Sequence, residues 1–256
     1  MEHSFLDRYS HLGSVIHNLD ARTKVLSFLT LMIVTVLTPP QCWPVFLFHL
    51  GLIGLTLRLS RIPVRYVLTR SLIIIPFILM VSLFVPFLPV NQPAGGYNLG
   101  PGSLSLGRTQ VLVFWNVLIK GLIGVLAVIV LSSTTPFPRL LEALKKFKVP
   151  SLLTLLLGFI YRYFFVLLDE VLTIKRAVDS RGYRGRTIWQ VKTLGRMLGQ
   201  LFLRSYERGE RVYLGMVARG FQGLPRTITP SRMQGADYVF LSAFFSVTAL
   251  SQIIFR

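Results

Sequence analysis

Long apolar blocks nearly free of charge alternate with basic polar segments along this chain of 256 residues. Most of the blocks approach the roughly 20 apolar residues that one helix needs to cross the hydrocarbon layer of a bilayer. The pattern predicts an all-α, polytopic membrane protein with about 4–6 transmembrane helices. The six blocks cover residues 25–37, 42–57, 68–90, 111–131, 151–168 and 236–255.

The first two blocks are separated by four residues, Thr38, Pro39, Pro40 and Gln41. The first block is short for a complete crossing, and the two prolines end any helix there. The pair is therefore either two tilted helices or a re-entrant hairpin. In both cases the two outer ends emerge on the same side of the membrane.

Basic residues set the orientation, because Lys and Arg are retained in cytoplasmic loops. The chain has 28 Lys and Arg against 10 Asp and Glu, for a net charge of +18. The loop over residues 91–110 contains a single basic residue, Arg108, and we place it outside. The N-terminus is then inside, together with the basic residues that flank the first two blocks: Arg22, Lys24, Arg58, Arg61, Arg65 and Arg70.

The fifth block, residues 151–168, precedes thirteen Lys and Arg over 175–232, so a crossing there would place that charge outside. We expect this block to dip into or lie against the membrane. Three parts follow: a membrane domain over 1–133, cytoplasmic coupling helices over 134–235, and a C-terminal transmembrane helix over 236–256. The middle part predicts three helices: one from Pro136 that stops at Val149-Pro150, with Thr135 as its N-cap, and two over about 151–181 and 191–219.

A short pattern of small residue, Arg, Gly, aromatic, any residue and Gly occurs twice, each time after a long predicted helix. Glycine in the left-handed conformation ends helices, and arginine complements the negative end of the helix dipole, so one copy needs no partner. Two copies indicate a partner with two equivalent sockets, as a two-fold symmetric dimer provides. The copies begin with Ser180, Arg181 and Gly182, and with Ala218, Arg219 and Gly220.

With these motifs the chain resembles the transmembrane coupling (T) component of energy-coupling factor (ECF) transporters, the CbiQ/EcfT family, in its cobalt and nickel form. The resemblance also rests on Ile-His-Asn-Leu-Asp-Ala-Arg-Thr-Lys at 16–24, Leu-Ser-Ser-Thr-Thr-Pro at 131–136 and Tyr-Arg-Tyr at 161–163. It implies that Arg181 and Arg219 dock into two ATP-binding cassette ATPase subunits at a bacterial cytoplasmic membrane. It also implies a separate membrane subunit that binds the substrate, cobalt or nickel. Ser180 replaces the alanine of the family motif.

Several functional classes lack their signatures. No phosphate-cradling G-x-x-x-x-G-K-[ST] and no H-E-x-x-H or G-x-S-x-G motif occurs, so we expect no catalytic residue, no bound metal and no cofactor in this chain. Cys42 is the single cysteine, which excludes an internal disulfide. Positive-inside bias and contact with anionic lipid explain the net charge without nucleic acid.

Other residues carry weaker predictions. Lys120 lies within an apolar block, where a charge is costly, and we expect it to contact the substrate-binding subunit. Gly195 and Gly199 form a small-xxx-small pair that lets helices cross closely. Asp169 and Glu170 are expected to serve Arg162 or Lys175 on their own helix. The alternative function is a self-contained permease with its own substrate path, for which several intramembrane charges are expected.

Overall fold

The structure is a computed structural model, and it describes residues 13–40, 42–84, 108–180, 189–223 and 233–255. These residues form helices and the connections between them, with no strand among them. The predicted all-α fold is therefore confirmed. In chain order the helices are α1 (Val15–Asn18), α2 (Ala21–Leu37), α3 (Trp43–Ser60), α4 (Val64–Phe84), α5 (Arg108–Thr134), α6 (Phe137–Lys146), α7 (Ser151–Ser180), α8 (Trp189–Ala218) and α9 (Gly235–Phe255).

Among the described residues, five helices are long and apolar enough to cross a membrane: α3, α4, α5, α7 and α9. This number lies within the predicted range. Helix α2 has 17 residues and is not one of the five. Helix α7 is counted as a possible membrane span because of its length and composition alone. A helix that lies against the membrane has the same two properties. The placement of α7 on the cytoplasmic side therefore stays a prediction from charge.

Helices α2, α3, α5 and α9 share an apolar core. Phe28 of α2 contacts Phe244 of α9 edge to face, with the ring centroids 6.2 Å apart. Leu31 and Ile123 are fully buried beside them. In contrast, Phe77 of α4 is 71% exposed. A helix bundle embedded in a bilayer has apolar side chains on its surface as well as in its core, because lipid covers the surface.

The described residues fall into two compact units. One lies within residues 4–143 and 231–256, and it contains α1 to α5 and α9. The other lies within residues 144–230 and contains α7 and α8. The predicted division at 133 and 235 stays a prediction.

The connection from α5 to α6 corrects one local prediction. The Thr135 amide donates to the Leu131 carbonyl at 3.1 Å, which extends α5 by one residue. The Thr135 hydroxyl is buried and has no hydrogen-bond partner in the part of the chain that the structure describes. It is the Pro136 carbonyl that accepts the first α6 amides, from Arg139 at 3.0 Å and Leu140 at 3.2 Å. Thr135 therefore does not cap α6, because its backbone belongs to the end of the preceding helix.

Helices α4 and α5 approach closely at Gly121. A Cβ atom at this position would lie 2.8 Å from the Cγ2 atom of Ile78. One turn farther along the pair, the Ser82 hydroxyl donates to the Phe114 carbonyl at 2.8 Å. A small residue lets the two helices pack at this distance, as in other membrane bundles.

We expect Gly121→Ala to destabilise the protein by roughly 1–3 kcal/mol, because an added methyl group overpacks the contact with Ile78. Gly124→Ala is the matched control, since a Cβ atom there meets its nearest neighbour, Met32 Cε, at an ordinary 3.8 Å. Thermal unfolding in detergent measures both changes. Adding Ile78→Ala should restore part of the loss, and a Gly121→Ala protein as stable as the control would contradict the packing described.

Candidate functional site

The end of α8 presents an arginine on a sharply defined helix terminus. The Phe221 amide donates to the Met216 carbonyl at 3.0 Å, and the Gly220 amide donates to the Val217 carbonyl at 2.9 Å. These two bonds are the Schellman arrangement that satisfies the last carbonyls of a helix. Gly220 has φ of +79°, a left-handed conformation that glycine adopts without steric cost. The predicted helix-ending conformation of Gly220 is therefore confirmed, while its part in docking stays a prediction.

Arg219 stands between the last helical residue, Ala218, and Gly220, and all three are exposed. The backbone bonds of the Schellman turn fix the start of the arginine side chain, while its guanidinium forms no ion pair with another described residue. Such a planar fork binds carboxylate and carbonyl oxygens at several points and keeps its charge. The α8 end thus has the chemistry of an exposed docking point.

The corresponding end of α7 is described only as far as Ser180. Ser180 is the last residue of the helix, and its hydroxyl donates to the Arg176 carbonyl at 2.9 Å. Arg181 and Gly182 lie outside the described residues. The equivalence of the two helix ends therefore stays a prediction from the repeated sequence.

A carboxylate joins α7 to α8. Glu170 forms a close ion pair with Arg204, and its other oxygen lies 3.9 Å from Arg208. The prediction that Glu170 serves Arg162 or Lys175 on its own helix is wrong, because two arginines of α8 reach it from the neighbouring helix. These two ion pairs of Glu170 lie between α7 and α8 and show which faces of the two helices meet.

Helix α8 carries an exposed apolar stripe, which we define as Leu194, Leu198, Phe202 and Tyr206. These residues follow one another at intervals of four and so share one helix face. Each is more than half exposed, up to 68% for Phe202. An exposed face of this kind marks a surface that lipid or another protein covers.

Gly195 and Gly199 lie beside this stripe. A Cβ atom at either position would meet no atom of the described residues within 4 Å. The structure therefore brings no helix of its own described part against the pair. Their use in a helix crossing stays a prediction about a partner.

Lys120 has an acceptor within its own chain. Its Nζ atom donates to the Val36 carbonyl at 2.8 Å and lies 6.0 Å from the centre of the Phe46 ring. Val36 belongs to the last turn of α2, where carbonyls lack helical partners and the dipole is negative. A contact with another subunit is thus not needed to satisfy the lysine, although it stays untested.

A buried lysine joins three elements, and the sequence reasoning assigned it no role. Lys24 is 1% exposed, and its Nζ atom donates to the carbonyls of His17 at 3.3 Å and Thr134 at 3.1 Å. The same His17 carbonyl accepts from Arg139 of α6 at 3.4 Å. The Lys24 ammonium group therefore links the start of α2 to α1 and to the end of α5, and the His17 carbonyl links α1 to α6.

Asp237 connects the start of α9 to the start of α2, next to Lys24. Its Oδ1 atom accepts from the Asp20 amide at 2.7 Å, and its Oδ2 atom accepts from the Gln234 amide at 2.8 Å. Asp20 in turn caps α2 by accepting from the Arg22 amide at 3.1 Å. We call Lys24, His17, Asp20, Arg139 and Asp237 the polar hub.

Burial and the neighbouring carboxylates shift the pKa of Lys24 in opposite directions. Burial lowers the pKa of Lys24 from 10.5 to about 8, and the Arg139 guanidinium adds to the effect, whereas Asp237 and Asp20 oppose it. A buried ammonium group is tolerated only with hydrogen-bond partners and nearby opposite charge. The hub supplies both.

Comparison with known proteins gives the family. The sequence pattern of CbiQ, described as a cobalt transport protein, matches residues 13–230. The chain belongs to the CbiQ family. It is an ECF transporter T component of the CbiQ type, a multi-pass membrane component of a transporter.

Three relatives of this CbiQ-family chain cover most of its length. The EcfT protein of Streptococcus equi is 30% identical over 87% of this chain and 85% of its own length. The EcfT protein of Bacillus subtilis is 28% identical over 87% of this chain and 86% of its own. The cobalt transport protein CbiQ of Salmonella typhimurium is 28% identical over 85% of this chain and 97% of its own.

The CbiQ match includes both arginine motifs and Lys24 but ends before α9. Asp237, which fastens α9 to the hub, therefore lies outside the region that the family pattern covers. The residues around Lys24 do belong to the stretch over 16–24 that carries the family resemblance. The sequence indicates the hub only through this resemblance, which assigns no function to Lys24.

We expect Lys24→Met to lower the stability of this CbiQ-family protein by on the order of 2 kcal/mol, because the Thr134 carbonyl loses its lysine donor and the His17 carbonyl keeps only Arg139. Lys146→Met is the control, since Lys146 is exposed at the end of α6. Thermal unfolding in detergent measures both. Equal stability of the two variants would show that the hub bonds contribute nothing net.

We expect Gly220→Ala to loosen the α8 terminus, because alanine is strained at φ of +79° by about 1 kcal/mol. Hydrogen exchange at the Gly220 position and Phe221 should become faster by several-fold. Gly215→Ala is the control within the same helix, where a Cβ atom has open space and alanine favours the helix. Unchanged exchange in Gly220→Ala would argue against a terminus held by the Schellman bonds.

Proposed function

We propose that the chain is the transmembrane coupling subunit of an ECF-type ABC importer. In this role it transmits the ATP-driven motion of a separate ATPase dimer to a separate membrane subunit that binds the substrate. The single observation that carries the proposal is the α8 end, where Schellman bonds hold an exposed Arg219 at the tip of a long helix. The names of the EcfT relatives, which are transmembrane proteins of energy-coupling factor transporters, support it.

Arg181 and Arg219 are the proposed docking points for the two ATPase subunits, with Ser180, Gly182, Ala218 and Gly220 shaping the two helix ends. A repeated motif suits a symmetric dimer, since each subunit offers the same socket. Carboxylates or backbone carbonyls in the socket would bind the guanidinium through charge-assisted hydrogen bonds. Lysine would lose the planar, multi-point contact.

Two stiff helices are the proposed path of the motion. Helices α7 and α8 have 30 residues each, which at 1.5 Å per residue gives about 45 Å. Glu170 connects them through ion pairs with Arg204 and Arg208. A displacement at one helix end is therefore carried along both helices rather than absorbed by a flexible linker.

The exposed apolar stripe of α8 is the proposed contact for the substrate-binding subunit. Leu194 and Phe202 on this face are 55% and 68% exposed, and a membrane partner would bury such side chains. Gly195 and Gly199 beside the stripe leave room for a partner helix to approach closely. Lys120 is a further candidate contact, in addition to its bond to Val36.

The proposed division of labour leaves ATP hydrolysis to the partner ATPases and substrate specificity to the other membrane subunit. The chain itself then needs no cofactor. The proposed location is the bacterial cytoplasmic membrane, with residues 134–235 on the cytoplasmic side, where the basic residues favour it. Cobalt, or else nickel, is the proposed substrate, because the CbiQ relative is named a cobalt transport protein.

The test is the double charge reversal Arg181→Glu plus Arg219→Glu in the complete transporter. We expect the ATPase subunits to fail to co-purify, or ATP hydrolysis to continue without uptake, because a carboxylate repels the acidic or carbonyl-lined sockets. Co-purification in mild detergent and uptake of radioactive cobalt into cells measure the two outcomes.

The matched control is Arg176→Glu plus Arg211→Glu, which makes the same charge change outside the two arginine motifs, about one turn before the end of α7 and two turns before the end of α8. Both of these arginines are exposed. We expect the control complex to assemble and transport. Normal assembly and uptake with both end arginines reversed would refute the proposed docking role.

A further inference from the structure

A cavity with two arginines lies between the turn from α3 to α4 and the segment that begins α1. Its volume is about 510 Å³. Neither the family membership nor the proposed coupling role assigns it a function. The lining residues are Gly13, Ser14, Leu55, Arg58, Leu59 and Arg61.

The turn that carries Arg61 is held rigidly. Arg61 has φ of +55°, and its amide donates to the Arg58 carbonyl at 3.2 Å. The next residue, Ile62, is buried, and it packs with Val67 and Ile129. An arginine in the left-handed region is strained where glycine or asparagine is not, and such strain is found at functional sites.

The guanidinium groups of Arg58 and Arg61 have no counter-charge in the part of the chain that the structure describes. No carboxylate among the described residues lies within ion-pair distance of Arg58 or Arg61. In contrast, Arg22 and Arg204 each have a carboxylate nearby. Two like charges held beside one cavity attract an anion, and two guanidinium forks match the oxygens of a phosphate.

The walls of the cavity are apolar and face outward. Leu55 is 59% exposed and Leu59 is 48% exposed, and both belong to α3, which is long and apolar enough to cross a membrane. The basic residues at the end of α3 place this turn on the cytoplasmic side. A soluble anion would satisfy the arginines but leave the leucines uncovered, whereas a phospholipid has both a phosphate and acyl chains.

We propose that this cavity binds an anionic phospholipid of the cytoplasmic leaflet. Arg58 and Arg61 bind its phosphate, and Leu55 and Leu59 contact the upper part of an acyl chain. Basic pockets beside membrane helices on this side bind lipid head groups in this way. Through Ile62, the bound lipid would also steady the contact of the turn with α5.

Native mass spectrometry of the purified full-length protein, alone or with its co-purifying partners, tests the site with phosphatidylglycerol as the probe. We expect Arg58→Gln plus Arg61→Gly to weaken phosphatidylglycerol binding about 25-fold, since each basic residue near an anionic lipid surface contributes on the order of a factor of five. Lys146→Gln plus Lys175→Gln removes the same charge from exposed positions of α6 and α7 and should leave binding unchanged. Equal weakening in both double variants would overturn the site.

The single variant Arg61→Gly separates binding from folding. Glycine adopts φ of +55° without strain, so this variant should be as stable as the unaltered protein in lipid-free detergent, or more stable. The thermal stabilisation that added phosphatidylglycerol gives should nevertheless shrink. Full stabilisation by phosphatidylglycerol in Arg61→Gly would refute a role for this arginine in lipid binding.

Two further probes identify the source of the phosphate. Phosphatidylcholine, which has no net charge, should stabilise the protein less than phosphatidylglycerol. Inorganic phosphate should not displace phosphatidylglycerol at millimolar concentration, because it leaves the leucines uncovered. Displacement by inorganic phosphate, or equal stabilisation by both lipids, would overturn the assignment to an anionic phospholipid.

Discussion

The hydrogen bonds of Lys24 hold the membrane-embedded unit in its observed form. A lysine that is 1% exposed is stable only when its ammonium group has acceptors, and here the carbonyls of His17 and Thr134 provide them. These carbonyls exist at the right place only if α1, α2 and the end of α5 are all folded. The cost of an unpaired buried charge therefore makes the arrangement of these helices cooperative, and Asp237 extends the constraint to α9.

The α7–α8 unit, in contrast, has its apolar side chains and its ion pairs largely exposed. Its helices keep long rows of apolar side chains exposed, and the contact between them includes the ion pairs of Glu170. Exposed ion pairs contribute at most about 1 kcal/mol, so they set the register of the two helices more than they stabilise them. A unit of this kind depends on lipid or partner surfaces to cover it. That dependence is what a coupling element between other subunits requires.

The helices and the α8 terminus could be predicted because their signals are local. Apolar blocks, prolines and the Arg-Gly pair each act within a few residues, and Gly220 adopts the conformation that its motif indicates. Contacts between distant residues were not predictable: Asp20 and Asp237 are 217 positions apart, and Lys120 meets α2 across 84 positions. The error at Glu170 has the same origin, since helix spacing predicts partners on one helix but not on its neighbour.

We propose that the α8 end lies on the cytoplasmic side, where a nucleotide-driven partner can move it. The most direct measurement is labelling of Arg219→Cys with a membrane-impermeant maleimide, in a protein whose single native cysteine has been replaced by Cys42→Ser. We expect labelling in inverted membrane vesicles and none in right-side-out vesicles, with Thr109→Cys near the start of α5 giving the reverse. Labelling of the α8 end from the outside would contradict the account.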